Sequence, residues 1–262
     1  RQRQMCIRDR YKDLSGKDLT EADFSYSDLT GVDFSNSDLT GANFYYSILN
    51  DANFSNTNLS YAKMTGTELE NTNFKNAIMS NTILYHANFD SAELSNLNFS
   101  NLDLSGVDFN NANIVNANFE NSQLFGVNFK NADLTDANFE DANLSGANFE
   151  DANLQFANFK NPFRGSINPI DVFEGTNFDG ANLYGAYFYM ADLSSNSFKN
   201  ANLTNAMFFE ADMKKADLEG AQMNGVRMGK AILNSANLKN VVSNQAFFIE
   251  ANDLWISQNT HE

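Results

Sequence analysis

A chain of 262 residues with one cysteine, two prolines, two histidines and one tryptophan excludes several classes of protein at the outset. The lone Cys6 rules out an intrachain disulfide and any cysteine-based zinc site. No run of about 18 apolar residues occurs, so no membrane-spanning helix is expected. Basic residues are scarce: 17 Lys+Arg stand against 33 Asp+Glu, a net charge of -16. Direct binding to nucleic acid is therefore not expected, because phosphate contacts need a basic surface. A basic protein that itself handles DNA would still be drawn to this charge.

Catalytic side chains are equally sparse. His86 falls among residues that recur with turn spacing, and His261 is next to the last residue. Neither pairs with a serine and a carboxylate in any arrangement readable from the sequence. No glycine-rich phosphate loop is present. The chain is not expected to be an enzyme, and no metal or cofactor is expected.

What the sequence has instead is a period of five, plain in ANFEDANLSGANFEDANL at 137–154. From Leu14 to Phe159 every fifth residue is Leu, Phe, Met or Ile, 30 positions in succession. A small residue commonly stands two before this centre, as at Ala132, Ala137 and Ala142, and Asp or Asn just before it. Neither a helix nor a straight strand keeps every fifth residue on one side. The chain must therefore turn once per pentad, with the centre and the small residue pointing inward as period-2 neighbours. Twelve of the 14 glycines lie two residues after a centre, where the turn is expected.

The number of pentads per coil is also legible. Asn36, Asn56, Asn76, Asn96 and Asn116 recur at intervals of 20, as do Gly106, Gly126 and Gly146. Four pentads per coil are expected, with asparagines stacked as hydrogen-bonded ladders. Phe and Leu alternate at successive centres, which places Phe on two opposite sides. The phase swaps near Met79 and Leu84, so the Phe columns should shift by one side there.

The pattern divides the chain. Residues 1–11 read as a non-native or disordered tail, since RQRQMCIRDR holds four basic residues and one acid and resembles translated sequencing adapter. The native start is then missing, and no targeting signal can be read. Sequencing the gene from genomic DNA tests this; finding the decapeptide encoded there refutes it. A first register spans 12–159. Residues 160–172, holding Pro162 and Pro169, interrupt it as a kink or loop. A second register spans 173–240, and 241–262 reads as a cap or tail. Phe247, Ala251, Leu254 and Trp255 have helical spacing, so Phe247, Leu254 and Trp255 are candidates for a cap or a homodimer contact.

The recurring A-(D/N)-(L/F)-x-x, as in Ala147-Asn148-Phe149 and Ala152-Asn153-Leu154, resembles the pentapeptide-repeat family over roughly residues 12–240. The resemblance implies an all-β fold, a right-handed quadrilateral β-helix with about eleven coils here. One branch of that family comprises acidic dimeric rods that mimic DNA and bind DNA gyrase. This chain shares the acidity, the interruption and a hydrophobic tail, but its repeat is far more regular. The expected function is a scaffold or subunit contacting another protein, with DNA mimicry toward an enzyme such as gyrase as the alternative. Candidate partner-facing residues are the acids Asp133, Asp136, Glu140, Asp141, Glu150 and Asp151, together with Phe163 and Arg164 in the interruption.

Overall fold

A computed structural model describes residues 12–160 and 173–247. Within these the chain contains no helix and no continuous strand. Parallel bridges join each residue just before a centre to its counterpart 20 positions on, as in Asp33↔Asn53, Asn53↔Asn73 and Asn73↔Glu93. The β pairing is one residue long on each side of the coil, because a turn follows at once. Four such ladders run up the solenoid; sides one to four are those that begin at Asp13, Asp18, Asp23 and Asp28.

A single pentad shows why the coil is self-consistent. Val32 N–H donates to the Leu29 carbonyl at 3.0 Å and closes the turn. Asp33 N–H reaches back to Lys12 at 2.7 Å, while Phe34 and Asn36 N–H reach forward to Asn53 and Ser55 at 2.8 and 2.9 Å. The fifth donor, Ser35 N–H, is taken by the Asp33 carboxylate at 2.9 Å. All five backbone donors of the pentad are satisfied, which a chain without long strands must otherwise leave to water.

The corners have φ near +60° at the residue two after the centre, as at Asn101 (φ 62) and Asn131 (φ 56). Positive φ at the third turn residue with an i→i+3 hydrogen bond is the type II turn, which selects Gly and Asn. That is the physical basis of the Gly and Asn columns. Asn56 donates to Asn36, Asn76 to Asn56 and Asn116 to Asn96, at 3.3, 3.0 and 2.9 Å.

The centres fill the interior. Phenylalanines one coil apart stack, as in Phe119–Phe139 at 5.0 Å, and those on opposite sides meet edge to face, as in Phe129–Phe139 at 5.8 Å. Such pairs each contribute about 0.5–1.5 kcal/mol beyond area burial. Phe74 stacks on Phe54 but meets Phe89 edge-on, so the Phe columns do move by one side between them. The ladder is interrupted at this same level. Among the described residues no bridge joins Ile78 to Asn98 or Ile83 to Asp103.

Pairing continues on both sides of the segment around the prolines, with a changed separation. Asn148 pairs with Asn177 and Asn158 with Tyr187, 29 residues apart instead of 20. Phe178 stacks on Phe149 at 5.1 Å and Phe188 on Phe159 at 4.7 Å, so the core columns carry through. Pro162, Phe163, Arg164 and Pro169 themselves lie outside the described residues.

Candidate protein-interaction surface

The acid or amide before each centre has a defined structural task. Its side-chain oxygen accepts the N–H two residues on, as Asp18 does for Thr20 and Asn138 for Glu140. An asparagine also donates to the same position one coil earlier: Asn53 to Asp33, then Asn73 to Asn53, at 3.0 and 3.2 Å. An aspartate lacks that donor. It can begin such a column but not extend it. Asp23 and Asp33 begin columns in this way, accepting from Asn43 and Asn53 at 3.1 and 3.0 Å. In Asp13, Asp18, Asp23 and Asp28 the hydroxyl two residues on, and then its N–H, hold the carboxyl below the ordinary range.

At some pentads a side chain of the previous coil takes this N–H instead. Asn50 accepts from Glu70 N–H, Asp179 from Lys199 N–H and Asn224 from Asn244 N–H. These outward polar residues do more than solvate the face. They complete the backbone hydrogen bonding.

The six acids singled out before the interruption do not form one patch. Asp133 belongs to side one, where it accepts from Thr135 and Asn153. Asp136 is the corner that leaves that side. Glu140 is on side two and pairs with Lys160 at 2.8 Å. Asp141 occupies the next corner; burial, and then the neighbouring Glu140, push its carboxyl up. Glu150 is on side four, paired with Lys130 at 3.0 Å, and Asp151 turns the corner beyond it. Acid is spread over every ladder: Glu93, Glu120, Asp103 and Asp108 stand on sides one, two, three and four. Lys199, Lys214, Lys230 and Lys239 pair with Asp217, Asp212, Glu210 and Glu219.

Phe247 is the outward residue of the last described bridge, to Arg227. Its N–H donates to Val226 at 2.9 Å, so at this residue the ladder, not a helix, holds the chain. Phe209, Arg227, Gly229 and Phe247 line a cavity of about 330 Å³ on side two. Leu254 and Trp255 lie outside the described residues.

A set of residues not singled out from the sequence is more conspicuous. Tyr26 (63% exposed), Tyr46, Tyr61 (60%), Tyr85 and Phe125 (62%) project from outward positions on or beside side three. Their signal was available: they are large apolar residues one or two places after a centre, where Ser, Thr, Gly or Asn is usual. His86 shares this surface as an exposed corner residue, 4.0 Å from the Tyr85 ring and with Nδ1 3.3 Å from the Gly106 carbonyl. Among the described residues no group of three His, Cys, Asp or Glu is placed to hold a metal ion, and no helix is long and apolar enough to cross a membrane.

Such a molecule is a β-solenoid whose interior is used up by packing. The family model of pentapeptide repeats matches overlapping stretches that together cover residues 12–161 and 172–225. The chain belongs to the pentapeptide-repeat family. No curated protein matches it. Among solved structures it is similar to HetL, a pentapeptide repeat protein involved in heterocyst differentiation regulation from the cyanobacterium Nostoc sp. strain PCC 7120 (24% identity, 86% of each chain, TM-score 0.44). It is also similar to a trypsin-treated variant of QnrB1, a plasmid-mediated fluoroquinolone resistance protein (17% identity, 78% of this chain and 83% of that one, TM-score 0.28). A third is a pentapeptide repeat protein from the Arabidopsis thaliana thylakoid lumen (24% identity, 53% and 68%, TM-score 0.15). At these values the likenesses say nothing of what this chain binds.

Proposed function

We propose that the chain is a non-enzymatic scaffold that docks another protein along its flank. In this reading it is a right-handed, four-sided rod of about eleven coils, roughly 50 Å long at the β spacing. It is interrupted at 160–172; its ladders run on through Val242 to Phe247, and Phe247, Leu254 and Trp255 remain the candidates for a cap or self-contact. The observation that carries the reading is the group of exposed aromatic side chains, Tyr26, Tyr45, Tyr46, Tyr85 and Phe125, that cluster on and beside side three. Tyr and Phe are enriched where proteins meet, and exposed apolar patches on soluble domains mark contact sites. The scattered acids, among them Asp133, Asp136, Glu140, Asp141, Glu150 and Asp151, give solubility and a general attraction for basic partners. Co-purification of the tagged chain from native extract tests this. A protein retained in fixed stoichiometry is expected, and a chain that elutes alone overturns it.

The net charge of -16 supports DNA mimicry as a second reading. Mimicry needs acid continuous along one side, and here acid is distributed over four sides with six lysines paired against it. A gyrase supercoiling assay separates the two: the scaffold reading expects no effect at micromolar protein, and inhibition or protection favours mimicry.

A further inference from the structure

Side two changes character along the rod. In the coils before the interruption its outward column runs Asn98, Asn118, Asn138 and Asn158. Bridges then carry the same column on through Tyr187, Met207, Arg227 and Phe247. Two places further along each pentad stand Tyr189, Phe209 and Gly229. Aromatic residues, Met and Arg are the types enriched where a protein surface is covered by another element. Tyr187 and Tyr189 stack at 6.1 Å, and the Phe209 ring lies so close over Gly229 that a Cβ there would clash with it. Phe209, Arg227, Gly229 and Phe247 line the cavity of about 330 Å³. Pockets that hold small molecules begin at about 300 Å³, so one bulky side chain can be seated here.

The chain that follows supplies such a side chain. The centres run Leu233, Leu238, Ser243, Phe248 and then Asp253. An aspartate cannot take an interior place without a large desolvation cost. The pentad pattern therefore ends before Asp253, next to side two. Residues 248–262 hold Phe248, Ile249, Leu254, Trp255 and Ile256, the acids Glu250, Asp253 and Glu262, and no Lys or Arg. Their charge complements this face. Lys199, Lys214, Lys230 and Lys239 each have a carboxylate partner, whereas exposed Arg227 has none among the described residues. Reach is ample. Trp255 is eight residues from Phe247, about 26–29 Å of extended chain or about 12 Å of helix. Phe209 lies two coils below Phe247, about 9.6 Å at the β spacing.

We propose that residues 248–262 fold back along side two of the second register. Trp255 seats in the cavity at Phe209 and Gly229, and Glu250 and Asp253 face Arg227. The occupant of this apolar flank is thus the chain itself, and side three is left open to other proteins. The inference does not depend on the scaffold reading.

Trp255 is the single tryptophan, so its fluorescence reports on this contact alone. In the folded full chain its emission should lie to the blue of that in urea, and acrylamide should quench it severalfold less. Phe209→Ser and Arg227→Glu should each move the emission to the red and raise the quenching severalfold. Adding Glu250→Arg and Asp253→Arg to Arg227→Glu should restore the protection. Tyr45→Ser, on side three, should leave it unchanged. Phe209 and Arg227 are both exposed, and a thermal melt verifies that each variant is folded. A tryptophan as open to acrylamide as in urea overturns the proposal. So does protection indifferent to Phe209→Ser, which would place the segment over the open end of the solenoid. Protection that is lost on dilution also overturns it, since a second copy would then supply the tryptophan. Any of these results leaves the co-purification test of the scaffold reading unaffected.

Discussion

At the scale of single residues, the repeat is a set of hydrogen-bond assignments. Asp33 accepts from Ser35 N–H at 2.9 Å and from Asn53 at 3.0 Å. Asp33→Ala leaves both donors without their partner and should cost about 1–3 kcal/mol in urea unfolding. Asp33→Asn keeps the acceptor for Ser35 and should cost well under half of that; equal losses for the two variants would contradict the assignment. Asn196 is the converse case. It occupies the inward position before Phe198, is 2% exposed, and neither amide atom has a hydrogen-bond partner among the described residues. One and two coils later the same slot holds Ala216 and Ala236. Asn196→Ala should therefore stabilise the fold, by about 1 kcal/mol or more; a lower urea midpoint would show that the amide has a role the contacts do not reveal.

At the scale of coils, two levels differ from the rest. Between Met79 and Asp103 the Phe columns change sides and bridges are missing, and no backbone acceptor takes the N–H of Asn98 or Asp103 among the described residues. Their equivalents one coil on, Asn118 and Gln123, donate to Leu97 and Leu102 at 2.9 Å. Amide exchange should be faster at Asn98 and Asp103 than at Asn118 and Gln123, since local opening follows the weakest hydrogen bonding. Equal protection would mean that the ladder is continuous in solution. The first coils carry the other difference. The carboxyls of Asp13, Asp18, Asp23 and Asp28 are held low by Ser or Thr hydroxyls and N–H groups. A depressed folded-state value contributes stability above the ordinary carboxylate range, and that stability is lost as pH falls through it. Asp141, held high mainly by burial, acts in the opposite sense, one group against five, since Asp217 is also held low. Tm should thus fall as pH drops below about 4, and a Tm independent of pH down to about 2 would contradict the capping role.

These two scales also mark what could be read from the sequence. Centres, corners and the 20-residue coil were legible because each depends on the residue's own size or φ preference. The shift of the Phe columns near Met79 was legible for the same reason. The capping role of Asp and Asn was not, because solvation and N–H capping select the same residue types. Only the structure assigns the Ser35 N–H to Asp33. The acids at 133–151 are neighbours in sequence, yet they fall on different sides because each pentad turns the chain onto a new side. Tyr45 and Tyr85 behave in the reverse way: distant in sequence, they lie in one column.

At the scale of the molecule, the interior is closed and the outward positions carry whatever specificity the rod has. The central claim is that the chain works by contact through the aromatic residues of side three. The most direct measurement is quantitative co-purification from native extract. It compares the wild-type chain with one in which Tyr26, Tyr45, Tyr46, Tyr61, Tyr85 and Phe125 are all replaced by serine. All six are exposed, so the core and its melting temperature should be preserved. The account predicts that a protein held in fixed stoichiometry by the wild type is lost from the variant. Equal retention by both, or no retained protein at all, would contradict it.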